Sequence, residues 1–234
     1  MDIKWIGFDA DDTLWRNEEL YREGRNHFLD IVSGYPEVGA VEGDIEEIEV
    51  ENLPYYGYGV MSFVLSLIET AIHVTGGAIR SEDIQRLIKV GKEMLSTPPS
   101  LYPGVGDVLD RLSQQYPLLL ITKGDLFHQQ RKVEQSGLRG YFQHVEVVSQ
   151  KTPEVYAALL NRHQIRPVQF IMIGNSLRSD IQPVIEVGGR AVHVSDHPSW
   201  SFEDGDLSEE EQTRVMEIGR IDQVSDLLLH DLKD

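Results

Sequence analysis

Short apolar runs recur along this chain, each followed by a stretch with helical spacing. That alternation restricts the fold more than any other feature. Residues 118–121 are wholly apolar, and residues 3–8, 169–173, His144–Val148 and Arg190–Val194 are nearly so. Runs without a polar face suit strands that are covered on both sides. Helical spacing follows at 105–115, 126–136, 154–163 and 179–187, and residues 224–229 begin a last helix. Strand then helix, repeated, predicts an α/β fold with a doubly wound parallel sheet, because parallel neighbours need a crossover connection.

One long segment breaks the alternation. Residues 17–34 carry Leu20, His27, Phe28, Ile31 and Val32 at helical spacing; 36–44 read as a loop, and 45–53 resume helix. Val60, Phe63, Val64, Leu67, Ile68, Ala71 and Ile72 form an amphipathic stripe that Gly76-Gly77 closes. Ser81 opens another helix, which Thr97-Pro98-Pro99 stops. The sequence therefore predicts a core of residues 1–16 and 97–234 interrupted by an all-helical domain, 17–96. Its expected place is a lid beside the strand ends. The acidic run 42–51 reads as a solvated helix face, and the acidic, Gly-containing 201–211 as a loop or flap.

Polar residues gather just after the apolar runs. The first run ends in Asp9-Ala10-Asp11-Asp12-Thr13, the next in Thr122-Lys123-Gly124-Asp125. Lys151 follows the third, and Gly174-Asn175-Ser176-Leu177-Arg178-Ser179-Asp180 the fourth. In an open α/β sheet the carboxyl ends of the strands are where ligands bind. Carboxylates there are unfavourable without partners, and make sense if a cation and a phosphate sit among them. Taken singly, each has a simpler reading. Asp12 or Thr13 can cap a helix, Thr122 can form a turn, Lys151 can be a surface lysine, and Asp180 can answer a helix dipole. Ser176 and Ser179 suit caps, and Asp12 suits a left-handed turn.

Composition narrows the partners. A formal net charge of −18 argues against nucleic acid and anionic membranes. The same field repels a phosphorylated substrate at long range, so local cations must reverse it. With no cysteine, disulfides, thiol catalysis and zinc-thiolate sites are excluded. No apolar run is long enough to span a bilayer, and the expected location is the cytoplasm. The oligomeric state is not readable.

The four polar segments, in this order, resemble the four motifs of the haloacid dehalogenase-like superfamily. DxDxT from Asp9 is the first motif, Thr122 the second, Lys151 the third and the 174–180 segment the fourth. The resemblance covers about residues 1–15 and 101–229. It implies a Rossmann-like core with a helical cap of the C1 type that selects substrate. It also implies a Mg²⁺-dependent phosphatase that cleaves a small phosphorylated molecule through an aspartyl-phosphate. By resemblance Asp9 is the nucleophile and Asp11, protonated at the start, the general acid and base. Thr122, Lys123 and Lys151 would bind phosphate, and Asp9, Asp11, Asn175 and Asp180 the metal. Two departures stand out. Asn175 replaces an acid and brings no charge, and Thr152 separates Lys151 from Pro153 where the family commonly has Lys-Pro. A phosphosugar mutase of the same family is the alternative enzyme, and a non-catalytic phosphate-accepting or binding protein the alternative class. Asp11 argues against a dehalogenase.

Overall fold

The computed structural model describes residues 2–36, 38–39, 41–198 and 200–230. The chain forms two compact units, Met1–Glu18 with Pro99–Asp234, and Glu19–Pro98.

In the first unit, β1 (Trp5–Phe8) leads to a two-residue strand, β2 (Trp15–Arg16), which pairs antiparallel with β3 (Ser100–Leu101). That small ladder ties together the two chain segments that flank residues 19–98. Four crossovers follow. α5 (Val105–Ser113) precedes β4 (Leu118–Lys123), and α6 (Leu126–Gln135) precedes β5 (His144–Val148). α7 (Pro153–Arg162) precedes β6 (Phe170–Gly174), and α8 (Gln182–Glu186) precedes β7 (Arg190–Val194). A short α9 (Glu209–Gln212), a strand β8 (Val215–Ile218) and α10 (Val224–His230) complete the unit. The six-stranded sheet runs β5-β4-β1-β6-β7-β8, and every pairing in it is parallel.

Burial on both faces explains the apolar strands. Leu118 and Leu120 of β4 point into a layer with Val108, Leu109 and Leu112 of α5. Leu119 and Ile121 point the other way, into a layer with Tyr156, Leu159 and Leu160 of α7. Each fully buried Leu or Ile contributes about 1.5–3 kcal/mol relative to exposure. The strands β5 and β7 have the bounds the sequence predicts. β8 was not expected: its pattern is part-buried with Glu217 exposed, as an edge strand allows. The segment after β6 departs as well. A single π turn, Leu177–Ile181, precedes α8, where the spacing predicts one continuous helix. Such turns are often found at functional sites.

The second unit is helical: α1 (Glu18–Val32), α2 (Glu42–Tyr56), α3 (Val60–Val74) and α4 (Ser81–Ser96). Its core joins Phe28 and Ile31 of α1 to Phe63, Leu67 and Ala71 of α3 and to Leu87, Val90 and Met94 of α4. Gly91 lets α3 approach α4, since a Cβ there would stand 2.5 Å from Val64 Cγ2. Most of the acidic face of α2 is solvated, but Glu49 is buried and lies 3.8 Å from Arg25. No helix among the described residues is long and apolar enough to cross a membrane.

Candidate active site

The order of the sheet puts β1 between β4 and β6, so the loops after these strands meet at one edge. The Asp9 amide donates to Ile173 O at 2.9 Å, which continues the β1–β6 ladder to the start of the loop. Asp12 then takes a left-handed φ of 57°, which turns the chain sharply. Its carboxylate accepts from the Asn17 and Glu18 amides at 2.9 and 3.0 Å and so caps the start of α1. Burial pushes the Asp12 carboxyl up to about 7 in spite of those two amides.

Lys151 is the centre of the cluster. Its ammonium lies 2.5 Å from Asp9 Oδ1 and 2.6 Å from Asp180 Oδ1, and its side chain is only 1% exposed. Burial alone would lower a lysine, yet the two carboxylates hold this one well above its ordinary value. Burial and the neighbouring Asp180 carboxylate push the Asp9 carboxyl up to about 7, against the pull of Lys151. Thr152 caps α7 by accepting from the Val155 amide at 3.4 Å, and Pro153 is the first helical residue. The inserted threonine thus starts the helix two residues beyond Lys151, and the lysine turns inward.

The second oxygen of Asp180 accepts from the Ser176 amide at 3.1 Å, so both of its oxygens are engaged. This approach needs Gly174, because a Cβ there would stand 2.3 Å from Asp180 Oδ2. Asn175 is buried and tied to the first loop. Its Oδ1 accepts from Thr13 Oγ1 at 3.2 Å, and its amide N–H donates back to that hydroxyl at 3.1 Å. Its Nδ2 donates to Pro198 O at 2.8 Å. That bond fixes which way the side-chain amide faces. Ser176 caps the π turn, accepting from the Ser179 amide at 2.9 Å.

Asp11 faces α6. Its Oδ1 accepts from Trp15 Nε1 at 2.6 Å and pairs with Lys132. Its Oδ2 accepts from Gln129 Nε2 at 2.9 Å. The same Gln129 nitrogen donates to Thr122 Oγ1 at 2.7 Å, so one buried amide links the first and second loops. Burial opposes ionisation of Asp11, but Lys132, Gln129 and Trp15 hold its carboxyl below the ordinary value. The expectation that Asp11 starts protonated is not what this arrangement favours, and Lys132 is the reason. Gln129 and Lys132 are one helical turn apart on the buried side of α6. A lysine on the inward face of a helix was the sequence signal for this contact.

Lys123 is also engaged. Its ammonium donates to Ser179 Oγ at 2.9 Å and pairs with Glu203. The neighbouring Gly124 amide is spent on Val148 O at 3.1 Å. Glu203 also accepts from Ser176 and Ser179. Burial opposes its ionisation, but Lys123 and the two hydroxyls hold its carboxyl below the ordinary value. Nothing in the acidic segment 201–211 marks Glu203 out from its neighbours.

The bonds join Asp9, Lys151 and Asp180 in one group, Asp11 and Thr122 through Gln129 in a second, and Asn175 to Thr13 in a third, while Lys123 bridges the first two through Ser179 and its own carbonyl. No cluster of three His, Asp or Glu side chains among the described residues has metal-holding geometry. Other oxygen donors at the strand ends are the Asp9 and Asp180 carboxylates, the Asp11 backbone carbonyl and the Asn175 amide oxygen. These are hard oxygens of the kind Mg²⁺ takes. The carboxylates Asp9, Asp11, Asp12, Asp180 and Glu203 also outnumber the ammoniums Lys123, Lys132 and Lys151. The donor set and the charge excess both fit a divalent cation.

The chain is similar to known proteins over most of its length. A family model described as haloacid dehalogenase-like hydrolase matches residues 3–188. Human N-acylneuraminate-9-phosphatase is 24% identical over 200 residues, covering 81% of each chain. Glyceraldehyde 3-phosphate phosphatase of Pyrococcus furiosus is 27% identical over 202 residues, covering 81% of this chain and 80% of that one. Among solved structures, a haloacid dehalogenase-like family hydrolase from Xanthomonas campestris superposes with a TM-score of 0.86 at 37% identity, over 97% of this chain and 95% of that one. The chain belongs to the haloacid dehalogenase-like hydrolases.

Proposed function

We propose that this hydrolase is a Mg²⁺-dependent phosphatase that cleaves a small organic phosphate monoester through an aspartyl-phosphate on Asp9. The observation that carries the reading is the Lys151 bridge between Asp9 and Asp180 at the strand ends. Two relatives named as phosphatases support the reaction class.

Asp9 Oδ attacks phosphorus in line, and the ester oxygen leaves. Lys151 neutralises Asp9 and the transferring group together, and Asp180 braces Lys151 for that task. The Thr122 hydroxyl accepts from Gln129, so its own hydrogen is free to donate to a phosphoryl oxygen. Asp11 stands ionised against the Lys132 ammonium, so the pair already holds one proton. That proton passes through Asp11 to the leaving oxygen, and Asp11 then takes one from the water that hydrolyses the acyl phosphate. Asp9, the Asp11 carbonyl and Asn175 or Asp180 would hold the metal. Bound there, Mg²⁺ would withdraw charge from the phosphoryl oxygens and favour the ionised form of Asp9. The helical unit, Glu19–Pro98, is the candidate for selecting the substrate.

The test is a panel of phosphate esters with Mg²⁺, read as released phosphate, for wild type and Asp9→Asn. Turnover by wild type and none above background by the variant are expected. A variant that keeps the wild-type rate refutes Asp9 as nucleophile. Full wild-type activity in EDTA refutes the cation. Conversion of a hexose 1-phosphate without phosphate release supports a mutase instead.

A further inference from the structure

Glu203 reaches the site from a part of the chain that carries none of the motifs. It ends a short 3₁₀ turn, Ser201–Glu203. Acids around it, such as Asp204, Glu209 and Glu210, are exposed, but Glu203 is 8% exposed. A buried carboxylate is strongly unfavourable unless it is paired and hydrogen-bonded, and this one is both. Its Oε2 accepts from Ser176 Oγ and from Ser179 Oγ, each at 2.6 Å. Its Oε1 pairs with Lys123, and its backbone carbonyl accepts from Ser176 Oγ at 3.3 Å.

The position of these serines gives the contact its meaning. Ser176 directly follows Asn175, and Ser179 directly precedes Asp180. One carboxylate therefore grips the loop beside both Asn175 and Asp180. Capping does not require it, because Ser176 Oγ already accepts from the Ser179 amide at 2.9 Å. The loop also carries Asn175 where an acid would bring charge. Glu203 places a carboxylate one residue away and cancels the Lys123 ammonium, which would otherwise repel a cation held nearby.

We propose that Glu203 is a positioning residue for the cation site, gripping Ser176 and Ser179 and neutralising Lys123 so that the Asn175 loop can hold a divalent cation. The inference rests on the cation site of the proposed phosphatase and goes beyond it by assigning a residue outside the four motifs.

The experiment titrates the full chain with Mn²⁺, reading bound metal by electron paramagnetic resonance. Glu203→Gln keeps the shape and removes the charge. It is expected to weaken Mn²⁺ binding about tenfold or more, the range seen when outer partners of metal ligands are removed. Lys123→Met with Glu203→Gln removes the pair without stranding an ammonium. It is expected to fold, by circular dichroism, and to bind Mn²⁺ more weakly than wild type but more tightly than Glu203→Gln. If the single variant does not fold, the double variant carries the test against wild type alone. Mn²⁺ affinity equal to wild type in the folded variants overturns the proposal while leaving the phosphatase reading in place. A wild-type protein that neither binds Mn²⁺ nor releases phosphate overturns that reading first.

Discussion

Lys151→Met tests the centre of the site through stability as well as turnover. The lysine side chain is 1% exposed and lies within 2.6 Å of two carboxylates. Removing one partner of a buried ion pair costs about 3–5 kcal/mol, because the other charge is left buried. The variant can escape part of this by keeping a proton on Asp9. Asp9 already stands at about 7 with the lysine present, and without it the carboxyl moves higher. A carboxylate raised in the folded state binds a proton that the unfolded chain has released, so stability falls as pH rises toward the folded pKa. In wild type that loss ends near pH 7, whereas in the variant it continues above. Lys151 itself, raised well above 10.5, contributes no slope between pH 7 and 9. The gap between the two proteins therefore opens by about 1.4 kcal/mol per pH unit above pH 7, for one proton. A gap of about 3 kcal/mol corresponds to roughly 6–12 °C in melting temperature for a protein of this size. All three tryptophans, Trp5, Trp15 and Trp200, lie in the α/β unit, so their fluorescence reports its melting apart from the helical unit. A gap that is constant from pH 7 to 9, or wider at pH 6 than at pH 8, refutes the reasoning.

Two further outcomes follow from the same contacts. Because burial and Asp180 push Asp9 up to about 7, a proton competes with the cation below that pH. The Mn²⁺ dissociation constant should fall about tenfold per unit from pH 5.5 to 7 and then level, with close to one proton released per cation at pH 6 by calorimetry; an affinity flat over this range contradicts the assignment. Gly174→Ala should displace Asp180, whose Oδ2 would lie 2.3 Å from the new Cβ, destabilising the α/β unit by about 1–3 kcal/mol and slowing phosphate release. Gly106→Ala on α5, with nothing within 4 Å, is the control and should stabilise slightly, so equal melting shifts for the two would argue against the close approach.

Much of this was legible in the sequence, for identifiable reasons. Strands buried on both faces leave runs such as 118–121, and the helical unit shows its stripe because α3 has one buried side. The expected hydrolase family is the one the chain belongs to. What the sequence hid was of two kinds. β8 and the β2–β3 pair are short and part-exposed, so no periodicity marks them. Gln129, Lys132 and Glu203 take their meaning from partners distant in the chain, Asp11 for the first two and Lys123 with the serines for the third. Local pattern marks Lys132 as an inward-facing lysine on its helix but names none of these partners. They are also what altered the expected chemistry: Lys132 ionises Asp11, and Glu203 occupies Lys123.

That second change bears on how an anion could enter so acidic a molecule. With a net charge of −18, a phosphate ester meets repulsion at long range, and local cations were expected to reverse it. The lysines alone do not. Lys132 is committed to Asp11, Lys123 to Glu203, and Lys151 is shared between two carboxylates. An ester that drew on any of them would have to displace a buried carboxylate from its partner, an exchange of one charge pair for another with little net gain. The carboxylates in excess distinguish these strand ends from a plain basic phosphate site. On the phosphatase reading they favour a cation before they admit a dianion. On that reading, affinity for the ester is therefore set by the oxygens of Asp9, Asp11 and Asn175, and only secondarily by the lysines that the motifs bring into view.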